Sequence, residues 1–541
     1  MLWPQLGGGV FESAELGRKV TKKAFDQAVP ALRVELVELQ QRLRRADFPA
    51  LVLLSGVNGA GKSETVNLLN QWMDPRWILN SAYQPPSEEE LERPRFWRYW
   101  RDLPAKGQLG LLLSAWYSRP FMETVYGDRS WAEYDRLLAE ITAFERVLAD
   151  DGAVILKFWM HLSRAQQKQR LKALERDRLQ SWRITDTDWR QWKSHDRYVE
   201  VAEHTIRATS TARAPWTIVE GMDPRYRSLT VATAIRDALR ARLDRVDRRR
   251  AGGGTIAARP PAGKETEEDA VAATLAEPLR HTVLTELDMS LTVSPRAYRR
   301  ELPELEARVY RLFLEAKQQR ISMVCVFEGW DAAGKGGAVR RLAAVLDAPD
   351  CRVIPIGEPT DEEAARHYLW RFWRQIGRAG RVTIFDRSWY GRVLVERVEG
   401  LATEPEWRRA YTEINEFERE LTDFGIVLVK FWLHITSDEQ LKRFTQRQEI
   451  PYKRWKLTDQ DWRNRDKWPA YEAAVQDMVE RTSTLGAPWT LVEANCKRHA
   501  RLKVLRTVAD ALEQAVARSL AAPRGRSTKK TKENGPRLPK G

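Results

Sequence analysis

A glycine-rich segment with one lysine is the clearest sign of chemistry in this sequence. "GWDAAGKGG", residues 329–337, fits the pattern G-x-x-x-x-G-K, in which backbone N–H groups and the lysine bind phosphate. An apolar run precedes it and a helical pattern follows it, which is the context that such a loop requires. A structural glycine turn is the alternative. The predicted phosphate ligands are Gly329, Ala333, Gly334, Lys335 and Gly336.

The loop lacks the hydroxyl group that usually helps to bind magnesium. Gly336 stands where the pattern normally has Ser or Thr. Because Mg²⁺ binds carboxylate and phosphate oxygens, carboxylates must then take a larger share. Asp331 lies in the loop and Asp386 ends the apolar run "VTIFD", so we expect both to be metal ligands. Alternatively, Asp331 forms a turn and Asp386 caps a helix.

Basic residues accumulate downstream of the loop. Ser437 and Gln440 fit a capping box, which predicts a helix start, and Arg443 and Arg447 then share one face of that helix. A basic helix at this point predicts a lid that brings cations over the transferring phosphate. An exposed amphipathic helix with solvated charges is the alternative. The predicted cationic site residues are Arg371, Arg387, Arg392, Arg443, Arg447, Lys453 and Lys456.

The chain repeats itself with one constant spacing. "KFWMHLS" at 157 returns as "KFWLHIT" at 430, and "APWTIVEG" at 214 returns as "APWTLVEA" at 487, both shifted by 273 residues. The same shift relates Lys62 to Lys335. This indicates two homologous domains in tandem. We predict domains at 15–245 and 281–518, a Gly- and Pro-rich linker at 246–280 and a disordered basic tail at 519–541.

Each repeat alternates apolar runs with helical patterns. In the second repeat these runs include "ISMVCVFEG", "RVTIFD" and "IVLVKFWLHI". Their continuous hydrophobicity is typical of parallel strands that are buried on both faces. We therefore predict an α/β fold with two tandem P-loop kinase-like domains, each a parallel sheet between helices with a helical lid.

The first repeat departs from the second at the residues that carry charge. Asp331, Asp386 and Arg387 correspond to Asn58, Leu113 and Ser114. Ser63 restores the hydroxyl that Gly336 lacks. Loss of both carboxylates weakens metal binding and stabilisation of the transition state. We expect the first domain to be catalytically silent or nearly so, and to serve as a packing partner, a surface for homo-oligomer formation or an extra anion site.

The composition of the chain indicates which classes of partner and which cellular compartment to expect. Lys and Arg number 90 against 75 Asp and Glu, a net charge of +15, which favours polyanionic partners. Three cysteines without a C-x-x-C pair make a disulfide framework or zinc site improbable and favour a reducing cytoplasm. The start of the chain lacks the order of a secretion signal. No run reaches about 18 apolar residues, so we expect no membrane span.

Three motifs together resemble the polyphosphate kinase 2 family. They are the loop "GWDAAGKGG", the strand end "FDRSWYGR" and the lid "RQEIPYKRWKLTDQDW". The resemblance covers about residues 285–515, and residues 15–240 resemble the family with the departures above. The tandem arrangement resembles the two-domain branch of this family, and that resemblance implies transfer of the terminal phosphoryl group of inorganic polyphosphate to AMP, giving ADP, with Mg²⁺ as cofactor.

The resemblance also implies residue roles. Asp331 and Asp386 would bind Mg²⁺, and Glu358 and Glu362 would border the nucleotide. Charge on the transferred group would be stabilised by Lys335, Arg387 and Arg392, and the donor chain would be held by Arg443, Arg447, Lys453 and Lys456.

Three other functions stay open at this point. One is polyphosphate-dependent phosphorylation of ADP or GDP, and another is an ATP-dependent kinase of small molecules. The third is a basic P-loop protein that binds nucleic acid, but no helix-turn-helix, zinc or RNA-binding motif supports it. We therefore expect no nucleic-acid partner.

Overall fold

The computed structural model describes residues 10–178, 181, 184–251, 282–449 and 459–521. It contains two five-stranded sheets, one in each repeat, and every strand pairing is parallel. The predicted α/β class and the duplicated architecture are confirmed. Across these described ranges, no helix is both long enough and apolar enough to cross a membrane.

The first sheet has a central strand buried on both faces. Its strands are β1 (Ala50–Gly56), β2 (Ile78–Ala82), β3 (Leu109–Leu113), β4 (Val154–His161) and β5 (Trp216–Glu220), in the order β2-β3-β1-β4-β5. In β1, Leu54 lies opposite Leu113 on one side and Phe158 on the other. Leu53 and Leu54 are fully buried. Burial from both faces explains why β1 is a continuous apolar run rather than an alternating one.

The second sheet repeats this topology. Its strands are β6 (Met323–Gly329), β7 (Cys351–Pro355), β8 (Val382–Asp386), β9 (Val427–His434) and β10 (Trp489–Glu493), in the order β10-β9-β6-β8-β7. Phe327 on β6 pairs with Asp386 on β8 and with Phe431 on β9. Asp386 therefore ends the strand next to the one that leads into the glycine-rich loop, at the carboxyl edge where ligands bind in such sheets.

Helices connect the strands of each sheet. Those of the first repeat are Lys22–Leu43, Lys62–Trp72, Glu88–Leu91, Trp97–Arg101, Ser118–Val125, Trp131–Asp150, Arg164–Arg176, Asp186–Lys193, His195–Thr209 and Pro224–Ala251. Those described in the second repeat are Pro295–Gln318, Lys335–Ala343, Asp361–Ala364, Trp370–Trp373, Val395–Val398, Glu404–Asp423, Ser437–Glu449, Asp459–Asp466, Trp468–Thr482 and Lys497–Ala521. The helix Pro224–Ala251 includes residues 246–251 of the predicted linker 246–280, and the helix Lys497–Ala521 includes residues 519–521 of the predicted tail 519–541. The rest of the predicted linker and of the predicted tail lies outside the described residues.

The chain forms two compact units whose limits do not simply follow the repeats. The first unit combines the N-terminal repeat with segments 357–376 and 395–416 of the C-terminal repeat. Within this unit, the ring of Trp100 lies 6.1 Å from that of Trp373 and 5.3 Å from that of His367. Buried aromatic surface therefore holds one of these two segments in place.

A fully buried ion pair supports the second sheet. Lys430 Nζ donates to Glu418 Oε2 at 2.7 Å, to Tyr390 Oη at 2.9 Å and to the carbonyl of Thr482 at 2.8 Å. Glu418 Oε1 accepts hydrogen bonds from Tyr390 and from Trp389. All three donors of the ammonium are thus used. The network fixes the segment that follows β8 against β9.

The first repeat contains the same network at the corresponding positions. Lys157 Nζ donates to Glu145 at 2.7 Å, to Tyr117 at 3.0 Å and to the carbonyl of Thr209 at 2.8 Å. In both repeats burial lowers the pKa of the lysine and raises the pKa of the glutamic acid. A buried pair survives this desolvation only when its remaining hydrogen bonds are satisfied, as they are here.

We expect Lys430→Met to destabilise the protein because it leaves Glu418 buried without its cation. Breaking a buried pair in this way costs about 3–5 kcal/mol of the free energy of unfolding. The exposed Lys442 is the control, and Lys442→Met changes that free energy by less than about 0.5 kcal/mol. Chemical denaturation measures both variants, and equal stability of the two contradicts the argument.

Candidate active site

The glycine-rich loop joins β6 to the helix Lys335–Ala343. Ala332 and Gly334 both have positive φ angles, of 63° and 108°. Gly334 is the N-cap of the helix and makes no side-chain cap bond. The first N–H groups of the helix therefore point, with the positive end of the helix dipole, toward the space enclosed by the loop. This is the geometry of an anion site.

Gly329 is the point at which the loop touches the neighbouring strand. Its φ angle is 149°, and a Cβ atom there would lie 2.5 Å from the carbonyl oxygen of Leu433 on β9. A side chain at this position would therefore push β6 and β9 apart. Gly56 meets the carbonyl of Met160 in the same way in the first repeat.

Lys335 lies inside the loop. Its ammonium donates to the carbonyl oxygens of Gly329 at 2.5 Å and Trp330 at 3.2 Å. Burial lowers the pKa of Lys335, and the nearby carboxylates Asp331, Glu328 and Asp386 act in the opposite direction. The lysine is thus a desolvated cation among three acids, which is a strong electrostatic partner for a phosphate oxygen.

The two predicted metal ligands lie at the ends of neighbouring strands, Asp331 just after β6 and Asp386 at the end of β8. Asn464 Nδ2 donates to Asp331 Oδ2 at 2.9 Å, and Arg387 Nη2 lies 3.5 Å from Asp331 Oδ1. Asp386 ends β8, beside the β6 strand that enters the loop. The charges of Asp331 and Asp386 both act to raise the pKa of Lys335, against the effect of burial.

A strained turn directs Arg387 toward the loop. Arg387 has a φ angle of 66°, which a residue with a side chain rarely adopts. Its backbone N–H donates to the carbonyl of Phe327 at 3.0 Å. The guanidinium remains 57% exposed although it lies beside Asp331. The turn thus places a solvent-accessible cation at the edge of the predicted site.

Arg443 lies on the predicted helix and contacts the glycine-rich loop from behind. It is buried, and its Nη1 donates to the carbonyls of Ala332 and Ala333 at 2.9 and 3.1 Å. Its Nη2 donates to the carbonyls of Ala494 and Asn495, both at 2.8 Å. Its Nε donates to Glu439 at 2.6 Å. All five N–H groups of the guanidinium are therefore used within the protein.

The helix that carries Arg443 starts as expected but is capped differently. It spans Ser437–Glu449, yet Thr436 is the residue whose side chain accepts from the backbone, at the N–H of Glu439. The predicted capping box of Ser437 with Gln440 is therefore wrong. Gln440 donates to the carbonyl of Asp331 at 3.2 Å, so tertiary contact with the loop takes precedence over local capping.

The remaining predicted residues are more dispersed. Arg392 ends the short helix Trp389–Arg392 and is half-buried, as is Arg447 on the helix Ser437–Glu449. Arg371 pairs with Glu363, and Arg374 with Glu362, inside the segment 357–376 that belongs to the first unit. Glu358 is an exposed residue of that segment. Lys453 and Lys456 lie outside the described residues.

Three residues near the loop escaped the sequence-based prediction of the site. Glu328 is buried, accepts a hydrogen bond from Ser388 at 2.8 Å, and has its pKa raised by burial. Asn464 orients Asp331. Comparison of the two repeats could have identified Glu328 and Ser388 as site residues. They correspond to Ser55 and Ala115 in the repeat that also lacks both aspartates.

The first repeat keeps the loop and loses its acids. Lys62 donates to the carbonyls of Gly56 at 2.6 Å and Val57 at 3.0 Å, as Lys335 does in its own loop. Burial lowers the pKa of Lys62 to about 8, opposed by Asp188. Asn58 replaces Asp331 and donates to Asp188 at 2.9 Å. The positions of the three acids of the second repeat are thus taken by Ser55, Asn58 and Leu113, and Asp188 is the acid that acts on Lys62 in the first repeat.

The acids of the second repeat suit a divalent ion that is bound partly by substrate. Among the described residues, no group of three or more His, Cys, Asp or Glu side chains is placed to hold a metal ion. Asp331 and Asp386 offer hard oxygen ligands near the phosphate loop. This fits Mg²⁺, which binds through one or two carboxylates and takes its other ligands from phosphate and water.

Comparison with known proteins finds the same family in both repeats. The family model described as polyphosphate kinase 2 matches residues 19–246 and again residues 292–519. The chain belongs to the polyphosphate kinase 2 family. A crystal structure of a family protein from Pseudomonas aeruginosa superposes with a TM-score of 0.81 at 45% identity, covering 94% of this chain and 99% of the other.

Curated relatives differ in how much of the chain they match. The polyphosphate:AMP phosphotransferase of Pseudomonas syringae pv. tomato is 48% identical over 510 residues, which is 94% of this chain and 99% of the relative. The ADP-polyphosphate phosphotransferase 2 of Rhizobium meliloti is 40% identical over 208 residues, 38% of this chain and 68% of the relative. The family is therefore represented by both two-repeat and shorter enzymes.

We expect Gly329→Ala to disrupt the loop, because the added methyl group meets the backbone of β9 and the residue keeps a positive φ. The effect on the free energy of unfolding should exceed about 2 kcal/mol. Gly336→Ala is the matched control, since a Cβ at Gly336 meets nothing within 4 Å. Thermal unfolding compares the variants, and a wild-type melting temperature for Gly329→Ala contradicts the prediction.

Proposed function

We propose that this chain transfers the terminal phosphoryl group of inorganic polyphosphate to AMP and releases ADP. The observation that carries this proposal is the match of both repeats, over 94% of the chain, to a relative with that activity. The second repeat adds the required chemistry, because its phosphate loop, buried lysine and acids converge at the carboxyl edge of one sheet. We place the reaction in the second repeat.

The bond changes are those of a phosphoryl transfer. An oxygen of the AMP phosphate forms a bond to the terminal phosphorus of polyphosphate, and the bridging P–O bond breaks. ADP and a polyphosphate chain shorter by one phosphate result. The attacking oxygen is already ionised, so no strong general base is needed and positioning with electrostatic stabilisation dominates.

The loop and its lysine hold the phosphates. Lys335 exchanges its hydrogen bonds to two loop carbonyls for contact with the phosphate that enters the loop. The N–H groups at the start of the helix Lys335–Ala343 add uncharged donors that cost no reorganisation. Gly336, Gly334 and Ala333 keep this surface open to the ligand.

Arg387 is the cation that we assign to the transferred group. Its 57% exposed guanidinium needs only to leave Asp331, at 3.5 Å, to contact phosphate oxygen. Arg392 is proposed as the second such cation. Asp331 and Asp386 would hold Mg²⁺, and that ion, when bound, neutralises charge on the phosphates. A separation of Arg387 from Asp331 also frees this carboxylate for the ion.

The assignments for the long substrate and the nucleotide stay predictions. Glu358 and Glu362 are proposed to border AMP. Arg443 is removed from the group that binds polyphosphate, because its donors are used within the protein. The residues proposed to contact polyphosphate are Arg371, Arg447, Lys453 and Lys456. A cytoplasmic location and homo-oligomer formation also stay predictions.

Acceptor choice is tested directly by product analysis. With long-chain polyphosphate and Mg²⁺, the purified chain is expected to convert AMP to ADP. ADP as acceptor is the second candidate, favoured by the shorter relative that matches a single repeat. Faster turnover of ADP than of AMP would assign that second activity. Transfer from ATP without polyphosphate would contradict the proposal altogether.

A matched pair of lysine variants tests the proposal that the second repeat carries the reaction and the first does not. Lys335→Met removes the lysine of the acid-rich loop and is expected to lower kcat about 100-fold or more. Lys62→Met makes the same change in the loop without acids and is expected to leave kcat within about twofold, because positioning and charge at the reaction site are unaltered. Steady-state rates of ADP formation measure both. Similar losses in the two variants contradict a silent first repeat.

Asp386→Asn tests the carboxylate itself. The substitution keeps size but removes charge, so we expect kcat to fall by roughly 100- to 1,000-fold and the Mg²⁺ concentration for half-maximal rate to rise. Asp361→Asn, at an exposed helix start, is the control and should leave both quantities unchanged. Full activity of the Asp386→Asn variant would contradict the proposed metal site.

A further inference from the structure

The two phosphate loops are held from outside by arginines that come from different helices. In the second repeat, Arg443 of the helix Ser437–Glu449 donates to the carbonyls of Ala333 and Ala494. In the first repeat, Ala60 and Gly221 take the corresponding positions, 273 residues earlier. Their carbonyls accept from Arg227 Nη1 at 3.3 and 2.8 Å. Arg227 belongs to the helix Pro224–Ala251.

The carboxylate that pairs with the arginine also comes from a different position in each repeat. Arg443 pairs with Glu439, one turn earlier on its own helix. Arg227 pairs at 2.7 Å with Glu64, which stands where the second repeat has Gly337. Arg170, the counterpart of Arg443, contacts Glu64 at 2.6 Å. A guanidinium behind the loop is therefore kept in both repeats, although the residue that supplies it is not.

The retained position has a physical reason. A loop that turns its N–H groups inward toward a phosphate turns carbonyl groups outward, and buried carbonyls need donors. A guanidinium presents two pairs of N–H groups in one plane, so it can bridge the loop and the end of β10 at once. A lysine ammonium has no such fork and cannot reproduce this bridge.

We propose that Arg443 is a positioning residue for phosphoryl transfer: it fastens the base of the lid helix to the phosphate loop and to the end of β10. It does so without contacting polyphosphate. The first repeat indicates that a guanidinium from position 500, which corresponds to Arg227 and is now Ala500, can take over this function. Close packing is expected there, since a Cβ at Gly61 would lie 2.1 Å from Arg227 Cζ.

The inference rests on the proposed polyphosphate-dependent activity of the second repeat. Arg443→Lys separates positioning from charge, because it keeps the positive charge and removes the bridge. If Arg443 positions the loop, kcat/KM falls about 100-fold, as expected when reacting groups shift by about 1 Å. If Arg443 instead binds polyphosphate through its charge, Arg443→Lys keeps most of the activity, and that result overturns the inference.

The dependence on salt supplies a second readout. A cation that contacts the polyanion contributes to the slope of log KM for polyphosphate against log salt concentration. Arg443→Ala is expected to leave this slope at the wild-type value while kcat/KM falls. A shallower slope in Arg443→Ala indicates direct contact with polyphosphate and overturns the proposal.

The repeat itself provides a rescue experiment. Arg443→Ala combined with Ala500→Arg and Gly337→Glu reproduces the arrangement of Arg227 and Glu64. This triple variant is expected to recover at least about tenfold in kcat/KM over Arg443→Ala, because the two sites are coupled through the same carbonyls. Circular dichroism establishes that the compared variants are folded. A folded triple variant without recovery counts against the proposal.

A measurement that does not depend on activity completes the test. Hydrogen–deuterium exchange of peptides covering residues 329–337 is expected to accelerate in Arg443→Lys, while peptides of β6 keep their protection. Unchanged exchange in the loop overturns the inference. A wild-type protein without polyphosphate-dependent activity would instead refute the proposed function, and the exchange experiment would still report on the loop.

Discussion

A phosphate loop imposes a constraint on its own backbone, and much of each repeat is arranged to meet it. N–H groups that face the phosphate leave carbonyl groups facing the protein, where water cannot satisfy them. In the second repeat Arg443 supplies donors to two carbonyls of the loop, those of Ala332 and Ala333, and to two carbonyls that follow β10. Lys335 makes two more contacts with loop carbonyls from inside. Gly329 allows the loop to lie directly on β9. The reverse side of the loop is therefore held in place by hydrogen bonds within the protein.

The two repeats share the same backbone arrangement and differ in which charged side chains lie near the loop. Both have the same strand order, and both bury a lysine–glutamate pair with identical partners, Lys157 with Glu145 and Lys430 with Glu418. The second repeat adds acids at Glu328, Asp331 and Asp386, where the first has Ser55, Asn58 and Leu113. Since phosphoryl transfer depends on the placement of charge, this difference is the basis on which we propose that the second repeat carries the reaction.

Much of the fold follows from sequence pattern. Continuous apolar runs that alternate with helical patterns specify parallel buried strands, and the constant shift of 273 residues specifies two copies. The site was partly accessible for the same reason, because Asp331, Lys335 and Asp386 lie next to strand ends. The cap at Thr436 is a local contact with the N–H of Glu439, so the sequence offered it one residue before the box that was predicted. The role of Arg443 was not accessible, because the carbonyls that it binds, such as that of Ala494, are distant in sequence.

The sequence by itself determined the family, the duplicated α/β architecture and the loss of acids in the first repeat, because these are properties of local pattern and residue type. Tertiary structure alone decided which arginine stays exposed and which one is buried against the loop. Arg387 and Arg443 carry the same charge, yet one is exposed beside Asp331 and the other is buried behind it. Burial and the direction of a carbonyl group are set by chain packing, so spacing along the chain cannot distinguish these two arginines.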